Sequence, residues 1–173
     1  VSVNITTIGL DARVARGMQK YKRIFKQNGQ LPYVISIFEN IVTPMSRNLK
    51  IEIDGKDVSG DYVVLLVANG NYYGGGFNPV PEADPTDGLM DILLVRDVSR
   101  LKVAQVVGKY KDGKYKDYPH LIRHFRTDRL KITCDKPSPI NLDGELRTAQ
   151  VIDIGIAKEK LRFFYPAQLN WKR

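Results

Sequence analysis

Polar and apolar positions change period several times along the chain, and each change predicts an element. Residues 1–10 (VSVNITTIGL) read as a strand running straight into a helix. From 11 to 27, Val14, Met18, Tyr21 and Phe25 recur at i, i+4, i+7 and i+11, the stripe of one helical face, before Asn28 and Gly29 stop it. The other face carries Arg13, Arg16, Lys20, Arg23 and Lys26. A second helix is expected from Pro32 to about Val42, although its β-branched content leaves a strand open. The period then shortens to two. Residues 49–54 alternate, Asp54 and Gly55 supply a hairpin turn, and the apolar run 61–68 suits a strand buried on both faces.

Residues 69–85 are dense in Gly, Asn and Pro and predict a long loop, followed by a strand over 89–95. Ser99 can cap a helix that turns Leu101, Val103, Ala104 and Val107 inward and ends near Lys109. The segment KYKDGKYKDY, 109–118, is basic and is expected to be exposed. Strands are predicted over 126–133, 150–157 and 161–165, with the Pro-rich KPSPI as a turn between the first two. The sum is an α+β protein dominated by an antiparallel β-sandwich, with a few flanking helices and no internal repeat.

With 173 residues, 43% of them hydrophobic, the chain can bury a core without disulfides, as one domain or one large lobe. Its one cysteine, Cys134, reads as a small buried hydrophobe, compatible with a reducing cytoplasm. No apolar run approaches the roughly 20 residues of a membrane-spanning helix, and the amino terminus does not resemble a signal peptide, so a soluble chain is expected. A net charge of +8 calls for an anionic partner, whether phospholipid, nucleotide phosphate or nucleic acid. The basic face of the first helix is then either solvated surface or a headgroup patch.

Three segments could carry chemistry. NGNYYGGG, 69–76, has glycines whose exposed N–H groups could cradle a phosphate, but it matches neither a dinucleotide fingerprint nor a Walker A loop, and a tight inter-strand loop explains it too. EADPTDGLMD brings Asp84, Asp87 and Asp91 together, hard oxygens for Mg²⁺ or Ca²⁺, with a capped turn as the simpler reading. In Asp143-Gly144-Glu145, two carboxylates could divide phosphoryl-transfer work, or the residues could simply make a hairpin turn. His120 and His124 stand four apart without a third zinc ligand nearby and read as surface or structural histidines. No G-x-S-x-G nucleophile elbow is present.

The order of these segments is more specific than any one of them. An NG…GGG loop, then A-x-x-x-D-G-L-M-D before a strand, then D-G-E, together with IGLDA at 8–12, resembles the carboxyl-terminal domain of the diacylglycerol kinase family. That family includes bacterial lipid kinases similar to sphingosine and ceramide kinases and is distantly similar to NAD kinases. Its members are two-domain enzymes whose amino-terminal lobe carries a GGDGT nucleotide motif; this chain has none, nor the PTGSTAY-like stretch of NAD kinases. The start at Val1, inside a strand-like stretch, fits an upstream lobe missing from the chain.

The resemblance implies ATP-dependent phosphorylation of a membrane-lipid hydroxyl, with ATP held mainly by the other lobe and the isolated chain inactive. It implies Glu145 as proton acceptor for that hydroxyl, with Asp143 supporting Mg-ATP or the base, and Asn69, Gly74, Gly75 and Gly76 on the nucleotide side. It implies a structural Mg²⁺ or Ca²⁺ held by the carbonyls of Asp84 and Leu89 and the carboxylate of Asp87. It also implies a cytoplasmic protein peripheral at the inner face of an anionic membrane. A nucleic-acid module is disfavoured because Tyr72, Tyr73, Phe163 and Phe164 are not interleaved with basic residues. A non-catalytic lipid- or anion-binding domain remains the alternative, and the oligomeric state, a homodimer included, stays open.

Overall fold

The computed structural model describes residues 1–10, 12–14, 46–73, 76–162 and 164. Strand β1 (Ile5–Gly9) is buried throughout and turns helical at Leu10, as its sequence predicts. Residues 12–14 continue as helix and Val14 is buried; the rest of the stripe and the second predicted helix lie outside the described residues. Then follow β2 (Arg47–Ile53), β3 (Lys56–Asp57), β4 (Gly60–Ala68), β5 (Met90–Arg96), α1 (Arg100–Lys111), a 3-10 turn (Tyr115–Asp117), β6 (Ile122–Thr127), β7 (Arg129–Leu142) and β8 (Glu145–Gly155).

All pairings are antiparallel, within one eight-stranded sheet. β8 flanks β7; β7 is paired in its first half by β2 and in its second by β1; both of these lie against β4, which is followed by β5 and the edge strand β6. One apolar cluster draws Ile8, Ile51, Leu65, Ile92 and Ile132 together, with Phe125 of β6 and Ile152 of β8 at its margins. Every strand except β3 contributes, and no residue of α1 does. A dry face that wide must be covered, and the curled sheet covers itself, which is the sandwich. The opposite face of β4, β5 and β6 packs Leu66, Leu93 and Ile122 under Val106 and Tyr110 of α1 and under Phe77 and Val80 of the long loop.

Several boundaries differ from expectation for identifiable reasons. The run 126–133 is two strands broken at Asp128, and KPSPI is not a turn but the middle of β7. There the β7–β8 register shifts between Thr133 and Ser138, a bulge that accommodates two prolines within a paired strand. β8 begins at Glu145 rather than near 150, and Leu161, Arg162 and Phe164 are not in a strand. The segment 109–118 is not wholly exposed, because Tyr110 and Tyr115 are buried in the core under α1. α1 also turns a different face inward: Val106 and Tyr110 are buried and Val103 packs beside them, whereas Leu101, Ala104 and Val107 face out.

Gly9 ends β1 at φ +97°, and a Cβ there would lie 2.3 Å from the Val63 carbonyl oxygen. Only glycine fits a position that is both left-handed and in contact with a neighbouring backbone. Gly9→Ala is expected to destabilise the chain by about 2–4 kcal/mol, read as a lower urea midpoint at unchanged m-value. An unchanged midpoint would show that the strand-to-helix junction tolerates a side chain.

Candidate active site

The register brings the three suspected segments to one end of the sheet. Ile5 pairs with Ala68 and Thr6 with Leu142, so β1 starts where β4 and β7 finish. Asp91 also pairs with Ala68, so the long loop 69–89 leaves and returns at that same end.

Asp143 and Gly144 form the two-residue β7–β8 turn with φ +51° and +98°, the doubly positive pair of a type I′ hairpin, for which Asp-Gly is a preferred sequence. The turn aims the Asp143 carboxylate back at β1, where it accepts from the N–H groups of Val3 at 2.6 Å, Ile5 at 2.6 Å and Asn4 at 3.2 Å. Asp143 in turn donates its own N–H to the Ile5 carbonyl at 3.0 Å. Desolvation alone would raise the Asp143 pKa, but donors from Ile5, Val3, Asn4 and the Ser2 side chain favour the anion and hold it below the ordinary carboxylate value. Its oxygens are engaged with the amino-terminal backbone, which makes it a positioning residue.

Glu145, two residues on, is the first residue of β8; its side chain is 75% exposed, with Arg147 3.3 Å away. The turn therefore separates the two carboxylates by role. One is engaged with the amino-terminal backbone; the other faces solvent beside Arg147.

The glycine-rich loop is tied to the same clamp. Asn69 and Gly70 donate backbone N–H to the Asn4 carbonyl at 2.8 and 3.2 Å, and the Asn69 amide donates to the Val3 carbonyl at 2.9 Å. Asn4 returns a bond from its amide to the Tyr72 carbonyl at 2.6 Å. Tyr73 and Phe77 exchange backbone bonds, each at 2.9 Å, around the glycines, and Gly76 donates to the Tyr73 carbonyl at 3.2 Å. The N–H groups of Asn69, Gly70, Tyr73, Gly76 and Phe77 are thus used within the chain and do not form a phosphate cradle; Gly74 and Gly75 lie outside the described residues.

In the second half of the loop, Asp84 accepts from the Thr86 N–H at 2.8 Å and hydroxyl at 2.6 Å, which lowers its pKa. Asp87 accepts from the Leu89 N–H at 2.8 Å and pairs its other oxygen with Arg126. These are capped turns of the kind the composition suggests. The oxygen chemistry of the expected Asp84, Asp87 and Leu89 set suits a hard cation, but Arg126 already supplies the positive charge at Asp87. A cation at this set would share the Asp87 carboxylate with Arg126 and draw its other oxygens from the Asp84 and Leu89 carbonyls; among the described residues no three His, Cys, Asp or Glu side chains converge on a metal position.

A polar chain runs inward from this loop. Asp91 is 1% exposed and accepts from His124 Nε2 at 2.6 Å, with the Arg126 guanidinium 3.5 Å away. His124 Nδ1 lies 3.2 Å from the Tyr115 hydroxyl, Tyr115 donates to Glu82, and Glu82 meets Lys116 at 2.7 Å. Burial, then the Glu82 hydrogen bond, raises the Tyr115 pKa, so it stays a neutral donor. His124 is structural, as expected; its partner Asp91, 33 residues away, carries no local signal.

An antiparallel sandwich whose polar turn and loop segments gather at one end of the sheet, some tied to the first strand and some to the edge strand, is a β-sandwich lobe with its candidate site at that rim. The chain belongs to the family described as the YegS C-terminal NAD kinase beta sandwich-like domain, whose profile matches residues 4–164. It is 26% identical over 165 residues to a provisionally named lipid kinase of Staphylococcus carnosus, covering 95% of this chain and 53% of that protein. A provisionally named lipid kinase of Staphylococcus aureus strain JH9 is 26% identical over 156 residues, covering 90% and 50%. The chain therefore spans about half the length of these curated relatives. Among solved structures, a provisionally assigned diacylglycerol kinase of Bacillus anthracis matches with TM-score 0.60 at 22% identity, covering 89% of this chain and 51% of that one. Another diacylglycerol kinase structure from the same organism matches with TM-score 0.55 at 18% identity over 89% and 46%. These structural likenesses show the fold, and lipid kinase is the name that the curated relatives carry.

The clamp has a pH signature. A carboxyl with a depressed folded pKa contributes stability that is fully present above its unfolded value, near 4, and is lost as pH falls through the folded value. Asp143→Asn is expected to lose about 1–2 kcal/mol at neutral pH, discounted for partial exposure, and to show a shallower decline of stability on acidification than wild type. Parallel acid limbs for the two proteins would remove Asp143 as the clamp.

Proposed function

We propose that this chain is the acceptor-side lobe of a two-lobe, ATP-dependent lipid kinase that phosphorylates a membrane-lipid hydroxyl such as that of diacylglycerol. Family membership and the names of the relatives support the class of reaction. The observation that carries the chemistry is the placement of Glu145: an exposed carboxylate on the first residue after the type I′ turn, two residues from Asp143, which holds the stretch that anchors the glycine-rich loop. A base must be held in place yet be reachable.

In this reading Glu145 accepts the proton as the lipid oxygen attacks the γ-phosphorus of ATP, and the bond to the β,γ-bridging oxygen breaks to release ADP. Mg²⁺ arrives with ATP as part of the substrate, and a GGDGT-bearing partner lobe holds most of the nucleotide. Asp143 contributes by fixing residues 3–5, and through them the glycine-rich loop. Peripheral attachment at an anionic membrane follows from the substrate and from the net charge of +8; no helix among the described residues is long and apolar enough to cross a bilayer.

With the partner lobe joined to the chain, Glu145→Gln is expected to reduce kcat on diacylglycerol by about 10²–10⁴-fold with little change in thermal stability, because the side chain is exposed. Near-normal turnover would eliminate Glu145 as the base. No phosphate transfer from the joined wild-type protein to any lipid hydroxyl would leave a non-catalytic lipid-binding domain as the correct reading.

A further inference from the structure

Helix α1 has apolar residues on two faces, and the fold uses one. Val106 and Tyr110 are buried against the sheet. On the opposite side Leu101, Ala104 and Gly108 follow one another at i, i+3 and i+7, with Val107 at the border; Leu101 is 72% exposed. A lone exposed leucine is ordinary. The flanks are what distinguish this strip. At 3.6 residues per turn, Lys111 falls on one side of it and Lys102 and Lys109 on the other, α1 contains no acidic residue, and Lys114 and Lys116 follow directly.

Lys102, Lys109 and Lys111 take part in no ion pair among the described residues. The ammonium groups of Lys102 and Lys111 lie 5.9 Å from the Tyr118 ring and 5.7 Å from the Phe77 ring, so their stems turn back along the protein and carry the charges to the protein side of the strip. An apolar strip with Lys102 and Lys109 on one side and Lys111 on the other matches a bilayer interface, where the strip enters the acyl boundary and the ammonium groups lie level with lipid phosphates. A second copy of the chain on this face would bring like charges together. A nucleic acid would use the lysines but not the leucine, and the strip has no aromatic for base stacking.

We propose that the outward face of α1, Leu101, Ala104 and Val107 with Lys102, Lys109 and Lys111, is the surface on which the chain docks onto an anionic lipid bilayer. The choice of a bilayer rests on the lipid-kinase reading. The helix is joined to the candidate site, since the Asn78 N–H donates to the Lys111 carbonyl at 2.8 Å just beyond the glycine-rich loop, and the Tyr110 and Tyr73 hydroxyls lie 3.5 Å apart.

Sedimentation of the full chain with vesicles of phosphatidylglycerol and phosphatidylcholine in equal parts tests this. Wild type is expected to bind these and not pure phosphatidylcholine, and Lys109→Gln/Lys111→Gln is expected to bind about 25-fold more weakly, roughly fivefold per charge. Leu101→Trp in a Trp171→Phe background is expected to shift its emission to the blue on mixing with the anionic vesicles. The replaced residues of α1 are exposed, so melting temperatures should match wild type. Undiminished binding by the lysine variant, or no blue shift from the Leu101→Trp variant, overturns the assignment. So does a concentration-dependent dimer that Leu101→Ser abolishes without vesicles, or binding to oligonucleotides that exceeds vesicle binding at matched salt. Wild type that fails to bind the anionic vesicles while the joined wild-type enzyme turns over micellar lipid would sink the docking surface alone; absent turnover with intact vesicle binding would sink the kinase reading alone.

Discussion

The end of the sheet where chemistry is expected depends on one carboxylate. Asp143 gathers the N–H groups of residues 3, 4 and 5. Those donors stand before and at the first residue of β1, ahead of its pairing with β7, so without an acceptor they would be satisfied only by water. With residues 3–5 held, the Val3 and Asn4 carbonyls become the fixed acceptors for Asn69 and Gly70, and Asn4 closes the ring on Tyr72. The turn, the first strand and the glycine-rich loop are therefore one bonded unit. The position of Glu145 is a consequence of that unit.

Asp91 does for the neighbouring loop what Asp143 does for the first. It is the more buried of the two, and its charge is met by side chains, His124 and Arg126, where Asp143 is met by backbone N–H groups. A buried carboxylate of this kind has to be paired. That pairing draws Arg126 close enough to engage Asp87 as well, so the conformation of the D-G-L segment is coupled to β6 through a guanidinium. The two loops at the rim are thus anchored independently, one to the first strand and one to the edge strand.

The strands were legible wherever period and turn chemistry agreed. β2, β4 and β5 fall within two residues of expectation, and both Asp-Gly hairpins occur where the dipeptide stands, at 54–55 and 143–144. β7 was misread because two prolines normally exclude a paired strand, and only the register shift against β8 makes room for them. The site was legible as three segments but not as a clamp. Asp143 and its partners are separated by 138 to 140 residues, and nothing local marks Val3, Asn4 and Ile5 as donors awaiting an anion.

The face of α1 shows where periodicity loses its power to decide. Leu101, Ala104 and Val107 and the set Val103, Val106 and Tyr110 are both spaced for a helical stripe, so hydropathy alone does not say which of them is core. The structure selects the second set because Tyr110 brings a large ring onto the sheet alongside Tyr115, Phe77 and Ile122, and burying it removes more apolar area from water than burying Ala104 or Val107 could. The unselected stripe then remains on the surface, bordered by lysines that the core never required. A helix that packed with its richest apolar face inward and carried only polar residues outside would have the same fold; the leucine between lysines is surplus to folding.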